Sequence, residues 1–462
     1  MGDILKKKNF KDILKVAFSN IAKLLSGVLV GLLLPKIIGV TDYGYYKTFT
    51  LYGVYVGLFT FGITDGIYLK FGGQDYDALV KVKFRFYTRF YFLMELCFSV
   101  IAAVVALLFL PGEYRFIFLC LAVYLLFFNI TSFFQTISQI TGRFTELSVR
   151  NLLQSLFQAA VILFMYFSSD IYSYRFFTIF YVSITCMLAL WYIYTYRDLV
   201  FGKSSGYQAT RDDLKYFVVS GTPLLVSNLS MLLLLSLDRQ FVNVLFTTDE
   251  YAVYAFAYNI LTLFSTTLSA ISTVLYPALK RTNKGNLKTS YSKLTFSVIL
   301  LSYVGALLYF PLLKFIPWFL PKYTDALPIF RIIIPGLAVS SAVTIVMHNY
   351  YKVLGKNILF FRNCLCILAA SFTANLVAYL IFGTREAISV ASIVVLLLWY
   401  LLSERLFVKQ YGIHFTKNLL YIIVMSAGFY LSTMIDTWWL EMIIYLAVLI
   451  PVSILLKPRK SN

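Results

Sequence analysis

Charge is scarce in this chain. Only 13% of its 462 residues are Asp, Glu, Lys or Arg, against about 25% in an ordinary soluble domain. Histidine occurs twice, which leaves little room for a His-based metal centre. The five cysteines, Cys97, Cys120, Cys186, Cys364 and Cys366, all fall in apolar stretches. Cys364-Leu365-Cys366 lacks the spacing of a metal-binding pair, so they read as small buried hydrophobes. No Walker A loop, G-x-G-x-x-G turn or H-E-x-x-H helix occurs. Asp75-Tyr76-Asp77 has the form of a sugar-transfer D-x-D but reads as a solvated acidic pair in a basic loop. No gap between apolar segments exceeds about 25 residues, too short for a nucleotide-binding domain of the usual 50 or more. ATP is therefore not the direct energy source, and no cofactor, no metal and no catalytic group is expected.

What is abundant is apolar surface, at 60% of residues. It is gathered into fourteen long segments, near 16–35, 48–69, 90–111, 116–140, 151–168, 176–196, 216–237, 252–276, 294–313, 332–350, 363–382, 387–403, 418–435 and 438–456. A helix needs roughly 20 apolar residues to cross the hydrocarbon, and most segments approach that length. A β-barrel is excluded, because its strands alternate over about ten residues instead of running continuously. Numbering the gaps alternately from an inside N-terminus puts 30 of the 40 Lys and Arg on inner gaps and ends, and nine on outer gaps. Lys23 alone lies inside a segment. Cationic loops resist translocation, so both ends are expected in the cytoplasm of a multi-pass protein of the cell membrane. The net charge of +19 is spread over these inner loops, where it suits anionic membrane lipids and not nucleic acid. Lys6, Lys7, Lys8, Lys11 and Lys15 precede segment 1, which is long and lacks a cleavage site and so reads as an uncleaved first helix.

The chain also repeats itself. Shifted by 208 residues without gaps, 18–46 lies over 226–254. Ser19-Asn20 then meets Ser227-Asn228, and Asp42-Tyr43-Gly44-Tyr45-Tyr46 meets Glu250-Tyr251-Ala252-Val253-Tyr254. Six helices separate the copies, so both insert in the same direction and are related by an axis along the membrane normal. The expected architecture is an all-α polytopic membrane protein of about 14 transmembrane helices. Two six-helix lobes, 1–200 and 215–410, face a central cleft. Residues 201–214 form a cytoplasmic linker, and 411–462 add an accessory, lipid-facing helix pair. Gly27, Gly31, Gly53, Gly57, Gly62 and Gly66 suit close helix packing. Pro35, Pro223 and Pro335 are candidate bends.

Function is sought among polar residues within the segments. An ionisable residue near the bilayer centre costs about 2.5–3.5 kcal/mol on insertion scales. Lys23 lies roughly 10 Å into segment 1 at the helical rise per residue. Ser19, Asn20, Ser26 and Gly27 extend it into a stripe. It either lines a wet cavity or pairs with a carboxylate, for which Asp65 is the candidate. Glu95 is placed near the inner end of segment 3, where it either simply reaches the headgroups or serves within the membrane. Asn129, Ser132, Thr136 and Gln139 share a face of segment 4, and Asn151, Gln154 and Gln158 one of segment 5. These stripes serve either interhelical hydrogen bonds or a cleft. In the second lobe Ser227, Asn228 and Ser230 mirror the first stripe. Asp238-Arg239 is a local ion pair or an outer gate. Ser341, Thr344 and His348 lie at i, i+3 and i+7, with His348 either structural or a proton relay.

Ser19-Asn20-Ile21, followed by the run 31–46 (GLLLPKIIGVTDYGYY), resembles the opening of polysaccharide flippases of the Wzx-like group. These belong with the MATE-like multidrug/oligosaccharidyl-lipid/polysaccharide superfamily. Leu237-Asp238-Arg239 with Glu250-Tyr251-Ala252 is similar to that family's seventh helix and following turn, and 320–326 (LPKYTDA) to its outer loop before helix ten. The resemblance implies flipping of an undecaprenyl-pyrophosphate-linked oligosaccharide to the outer leaflet, by alternating access through the polar cleft, for cell-surface polysaccharide. The polar residues read above, Lys23, Asn20, Ser19, Asp65, Gln154, Gln158, Ser227 and Asn228, are the candidate cleft residues, and the resemblance implies a cation facing the pyrophosphate, a role Lys23 fits best. Asp238, Arg239 and His348 are candidates for a gate or for a coupling cation, H+ or Na+. Polysaccharide assembly proteins are candidate partners. Two rivals are a cation-coupled multidrug exporter, which would favour an acid-rich cavity, and a membrane polysaccharide polymerase or ligase, which would need larger outer loops than 314–331. The charge asymmetry is tested by single cysteines replacing Glu113 and Lys284: impermeant thiol reagents should reach them from opposite sides of the membrane, and same-side labelling contradicts the topology.

Overall fold

The computed structural model describes residues 18–168, 173–281, 284–412, 416–435 and 437–456. The lysines at 6, 7, 8, 11 and 15 lie outside them. The chain folds as two compact units, residues 1–229 and 230–462. Helices follow one another as α1 (Phe18–Ile37), α2 (Val40–Gly53), α3 (Ile63–Phe71), α4 (Lys81–Phe109), α5 (Gly112–Ile140), α6 (Phe144–Phe167), α7 (Tyr174–Thr195) and α8 (Arg211–Leu245). Then come α9 (Thr248–Arg281), α10 (Lys284–Ala306), α11 (Tyr309–Phe319), α12 (Ala326–Val353), α13 (Asn357–Phe382), α14 (Arg385–Tyr411), α15 (Thr416–Ser432) and α16 (Trp438–Leu455). No strand occurs among the described residues. Among the described residues, eleven helical spans are long and apolar enough to cross a membrane. Helices α2, α3, α9 and α15 are not among them, so the expected fourteen crossings are not reached by that measure.

The repeat read from the sequence reappears in the helix bounds. Helix α1 ends at Ile37 and α8 at Leu245, while α2 begins at Val40 and α9 at Thr248. The acid of each copy serves a helix start. Glu250 and Thr247 form a reciprocal capping box, Thr247 N to Glu250 Oε2 at 3.0 Å and Glu250 N to Thr247 Oγ1 at 3.3 Å. Asp42 instead accepts from the backbone N–H of Tyr174 at 3.1 Å, tying α2 to the start of α7.

Segment 48–69 is not one helix. A 3-10 stretch, Val54–Thr60, follows α2, and Phe61 (φ 47) and Gly62 (φ 74) turn through the left-handed region before α3. A non-glycine residue at positive φ needs outside support. Here the Phe61 carbonyl accepts from Thr222 Oγ1 at 3.2 Å. Beside the break, α3 crosses the first half of α8 at backbone contact. A Cβ on Gly66 would lie 2.3 Å from Phe217 Cα, and one on Gly221 1.9 Å from the Gly62 carbonyl oxygen. Small residues allow this approach.

The polar stretch 201–210 lies along the N-terminal part of α4. Arg85 donates to the carbonyls of Asp198 at 2.9 Å and Lys203 at 3.1 Å, Arg89 to that of Gly202 at 2.6 Å. Asp213, in the first turn of α8, accepts from Lys70, Tyr87 and Lys83. Asp198 accepts from Tyr76 at 2.6 Å and pairs with Lys81 at 2.7 Å. Burial pushes the Asp198 carboxyl up, but the hydrogen bonds from Lys81 and Tyr76 outweigh it and hold the group below its ordinary range. Beneath these charges an aromatic core joins α3, α4, α5, α7 and α8, with Phe134 and Tyr196 stacked at 5.4 Å.

In the second unit the expected outer loop 314–331 is mostly helical: Lys314 lies in α11 and Arg331 in α12. Helix α12 contains Pro335 and widens to a π-turn over Ala342–Met347. The last helix pair does not simply face lipid. The Tyr303 hydroxyl of α10 bonds the Ile422 carbonyl at 3.0 Å and Ser426 at 2.8 Å, and Tyr445 returns a bond to the Tyr303 carbonyl at 3.0 Å. Sparse polar residues in that pair are matched by one tyrosine reaching in from α10 and one reaching out from α16.

The glycine crossing gives a direct test. Gly66→Ala must push α3 off the Phe217 backbone, an overpacking cost of about 1–3 kcal/mol. Gly57→Ala meets nothing within 4 Å. In detergent, thermal unfolding of the Gly66 variant should occur several degrees lower while the Gly57 variant matches the parent; equal melting of all three contradicts the close crossing.

Candidate functional site

Within the first unit a cavity of about 370 Å³ opens beside the helix break. Its wall carries Thr60, Thr64, Asp65 and Tyr68 from the break and α3, Ser132, Gln135, Thr136 and Gln139 from α5, and Leu225 from α8. Helical spacing of three and four explains the α5 contribution. The expected stripe on that helix divides: Asn129 turns away from the cavity, and Gln135, unmarked in the sequence, joins it.

Gln135 leads to a group that sequence reading missed. Arg150 is 6% exposed and lies in α6. With the Gln135 carbonyl oxygen turned toward it, Nη1 and Nε of Arg150 both donate at 3.1 Å. Nη1 also donates to Asn151 Oδ1 at 3.0 Å. No carboxylate forms an ion pair with Arg150 among the described residues. Arg150 passed as an inner-loop cation because the apolar run starts only at Asn151. The helix starts at Phe144, which places Arg150 about 9 Å along it at 1.5 Å per residue. The readable signal was its four-residue spacing to Gln154 and Gln158.

Lys23 is exposed on α1, with Asn20 exposed and Ser19 buried beside it. Ser227 and Asn228 repeat that buried–exposed order. Ser26, one turn beyond Lys23, donates to Gln158 Oε1 at 3.3 Å, joining α1 to α6, and Gln154 is half-buried on the same helix. Lys23 lies within electrostatic range of Arg150. No Lys23–Asp65 ion pair occurs among the described residues, and Lys23 is not in the cavity wall that holds Asp65. Of the two readings of Lys23, the carboxylate partner is therefore not realised with Asp65, and the charge within its range is a second cation.

Glu95 is not a headgroup-level residue. It is fully buried, about 21 Å along the 29-residue α4 at the helical rise. Asn129 Nδ2 donates to its Oε2 at 2.7 Å and to the Val56 carbonyl at 3.0 Å. The pair thus occupies a carbonyl of the 3-10 stretch, and Glu95 braces the break through Asn129.

The second-unit candidates are mostly engaged in packing. Asp238 is buried and accepts from the Tyr254 hydroxyl at 2.9 Å. Arg239 turns elsewhere, bonding the Leu235 carbonyl at 2.8 Å and lying 5.1 Å over the Tyr258 ring. Of the two readings of Asp238-Arg239, the local ion pair is absent among the described residues. His348 is buried and stacks on Phe360 at 4.6 Å with an interplanar angle of 15°. Thr344 bonds back to the Ser340 carbonyl at 2.8 Å.

Against this geometry, the sequence model of the polysaccharide biosynthesis protein family matches residues 9–283, more than half of the chain. The chain belongs to that family. No curated protein matches it. The fold of this polysaccharide biosynthesis protein is similar to that of the lipid II flippase MurJ in an inward closed conformation, with TM-score 0.71, 12% identity, and coverage of 97% of this chain and 98% of that one. An inward-facing multidrug resistance MATE transporter gives TM-score 0.63, 13% identity, 85% of this chain and 95% of that one. A transporter of the MOP superfamily from Pyrococcus furiosus, described as having a binding pocket of reversed polarity, gives 0.54, 13%, 86% and 95%. At these identities the likeness is one of fold. The family resemblance and the all-α, multi-pass membrane architecture read from the sequence are borne out.

The brace at the helix break can be measured. Glu95→Gln keeps an acceptor for Asn129 and should leave thermal stability near the parent's. Glu95→Leu removes it, at a cost of about 1–3 kcal/mol for an unsatisfied buried donor. Equal stability of both variants contradicts the bracing role.

Proposed function

We propose that this protein flips an undecaprenyl-pyrophosphate-linked oligosaccharide repeat unit from the inner to the outer leaflet of the cytoplasmic membrane, and that Arg150 and Lys23 receive the pyrophosphate. The observation that carries the reading is Arg150: a buried cation inside an apolar helix, held by two neutral amides, with Lys23 within electrostatic range. Taking such a charge out of water costs several kcal/mol unless an anion offsets it. A pyrophosphate is a dense anion, and guanidinium is well shaped for it. The neighbouring cavity is walled by hydroxyls and amides, the groups that hydrogen-bond sugars. Its volume of about 370 Å³ is within the usual range for small-molecule sites of about 300–1,000 Å³. Alternating access would open this cavity to one side of the membrane at a time, while the prenyl tail stays in lipid. The protein acts as a transporter and not as an enzyme, with both termini cytoplasmic. A coupling cation at Asp238 and docking to polysaccharide assembly proteins belong to the same proposal.

A second reading rests on Asp65. A carboxylate in the cavity wall favours a cationic cargo, as in a cation-coupled multidrug exporter. The two cations weigh against it, and Asp65 suits sugar hydroxyls as an acceptor.

Export and protein level should be measured together in cells lacking the chromosomal copy. Arg150→Gln keeps hydrogen bonding but removes charge, and should lower surface polysaccharide roughly tenfold, as expected for charged hydrogen bonds of about 1.5–3 kcal/mol. Arg150→Lys and Lys23→Arg should retain partial export, and Lys23→Ala should lose most of it. Normal export by well-folded Arg150→Gln and Lys23→Ala proteins would remove the cations from the transport site. Loss of drug resistance with unchanged polysaccharide would favour the exporter.

A further inference from the structure

The second unit carries a groove that the transport reading does not use. It is lined by Pro328, Arg331 and Ile332 of α12, Val390 and Ile393 of α14, and Tyr430 of α15, and holds about 480 Å³. Its floor is rigid. Gly336 lets α12 meet α14 so closely that a Cβ there would sit 2.5 Å from Ile393 Cδ1. The Tyr430 hydroxyl donates to the Ile332 carbonyl at 2.9 Å, tying α15 to α12 across the side wall. Its mouth is apolar and open, with Val390 and neighbouring Val394 each about half exposed.

The one charged residue in the wall of this apolar slot is Arg331, for which no ion pair occurs among the described residues. Its depth is readable. Helix α12 begins at Ala326, so Arg331 is about 7.5 Å along it at the helical rise. The preceding helix α11 ends beside exposed Trp318, and α16 begins with exposed Trp439. Exposed tryptophans gather at the membrane–water interface. An arginine one to two turns inside such a boundary reaches the phosphate level. An apolar slot whose one charged wall residue is a guanidinium without an ion pair, at phosphate depth, has the polarity of one lipid molecule.

We propose that this groove binds one anionic glycerophospholipid from the surrounding bilayer, with an acyl chain along Ile332, Val390 and Ile393 and the phosphate on Arg331. The charge on Arg331 selects the anionic headgroup, and the fixed floor selects a single chain. In the orientation expected from the loop charges the site faces the outer leaflet.

Native mass spectrometry of the purified full chain, exchanged into detergent with equimolar phosphatidylglycerol and phosphatidylethanolamine, tests this. The parent should retain one phosphatidylglycerol in preference to phosphatidylethanolamine. Arg331→Gln should lower that retention at least fivefold, whereas Lys322→Gln, removing an exposed neighbouring cation, should leave it unchanged. Ile393→Trp fills the slot without altering charge and should also abolish retention, so the proposal stays testable if the arginine variant misfolds. Equal retention of the two lipids by the parent, equal loss in Arg331→Gln and Lys322→Gln, or full retention by a folded Ile393→Trp protein would each overturn it. Preferential capture of added undecaprenyl phosphate over phosphatidylglycerol would overturn the phospholipid and make the groove a seat for the prenyl chain.

Discussion

Inside hydrocarbon a polar group has no water to turn to, and each must find its partner within the chain. That constraint produces the all-helical architecture, since a helix satisfies its own backbone. It also shows where the chain departs from helix at a cost. The turn at Phe61 and Gly62 frees carbonyls in the middle of a membrane protein, and those of Val56 and Phe61 are taken up by Asn129 and Thr222. Those donors arrive from α5 and α8, so the break depends on the packing around it. The same packing requires Gly62, Gly66 and Gly221 to be without side chains. Polar satisfaction and close approach thus fix the same corner of the first unit, and the cavity opens beside it.

Tyrosine meets the constraint elsewhere. The chain has 36 of them, many deeply buried, and their hydroxyls reach partners on other elements. Tyr254 reaches Asp238, Tyr350 the Leu287 carbonyl at 3.1 Å, and Tyr351 the Ser403 carbonyl at 2.9 Å. A ring supplies apolar area and a hydroxyl supplies one directional bond, so a tyrosine can pin a helix without placing a charge in lipid. Composition alone makes tyrosine look like one more apolar residue. The docking of the last helix pair through Tyr303 and Tyr445 was illegible for that reason, and few polar residues within that pair suggested lipid exposure instead.

Membrane class, helix content and the 208-residue repeat were legible because they rest on long-range periodicity. Helix ends near Ile37 and Leu245 follow the repeat directly. Depth was harder. Apolar runs mark where helices are greasy and not where they start, so α6 began seven residues before its apolar run and carried Arg150 into the membrane. Helix α4 began nine residues before its run, which shifted Glu95 from a supposed headgroup position to mid-helix. The same inner-loop rule that gave the expected orientation absorbed the one cation that matters most to the proposed site. Pairings such as Lys23 with Asp65 were illegible for a different reason, since opposite charge in sequence says nothing of which faces meet.

The repeat also shows how the two copies have parted. At the 208-residue offset Ser19-Asn20 keeps both its identity and its buried–exposed order in Ser227-Asn228. The polar positions that follow are not kept: Lys23 corresponds to Met231, and Ser26, bonded to Gln158, corresponds to buried Leu234. The polar stripe is therefore complete only in the first copy. A duplicated helix under purely structural demand has no reason to gain a lysine within the membrane, since such a charge destabilises and packs poorly. A lysine within range of Arg150, with no acid paired to either among the described residues, suits an anion that is not part of the chain. A transported pyrophosphate meets that demand, and only while it is bound. Two cations that lack an internal counter-charge are best satisfied during passage of the substrate, which ties their cost to the proposed transport cycle and not to the resting fold.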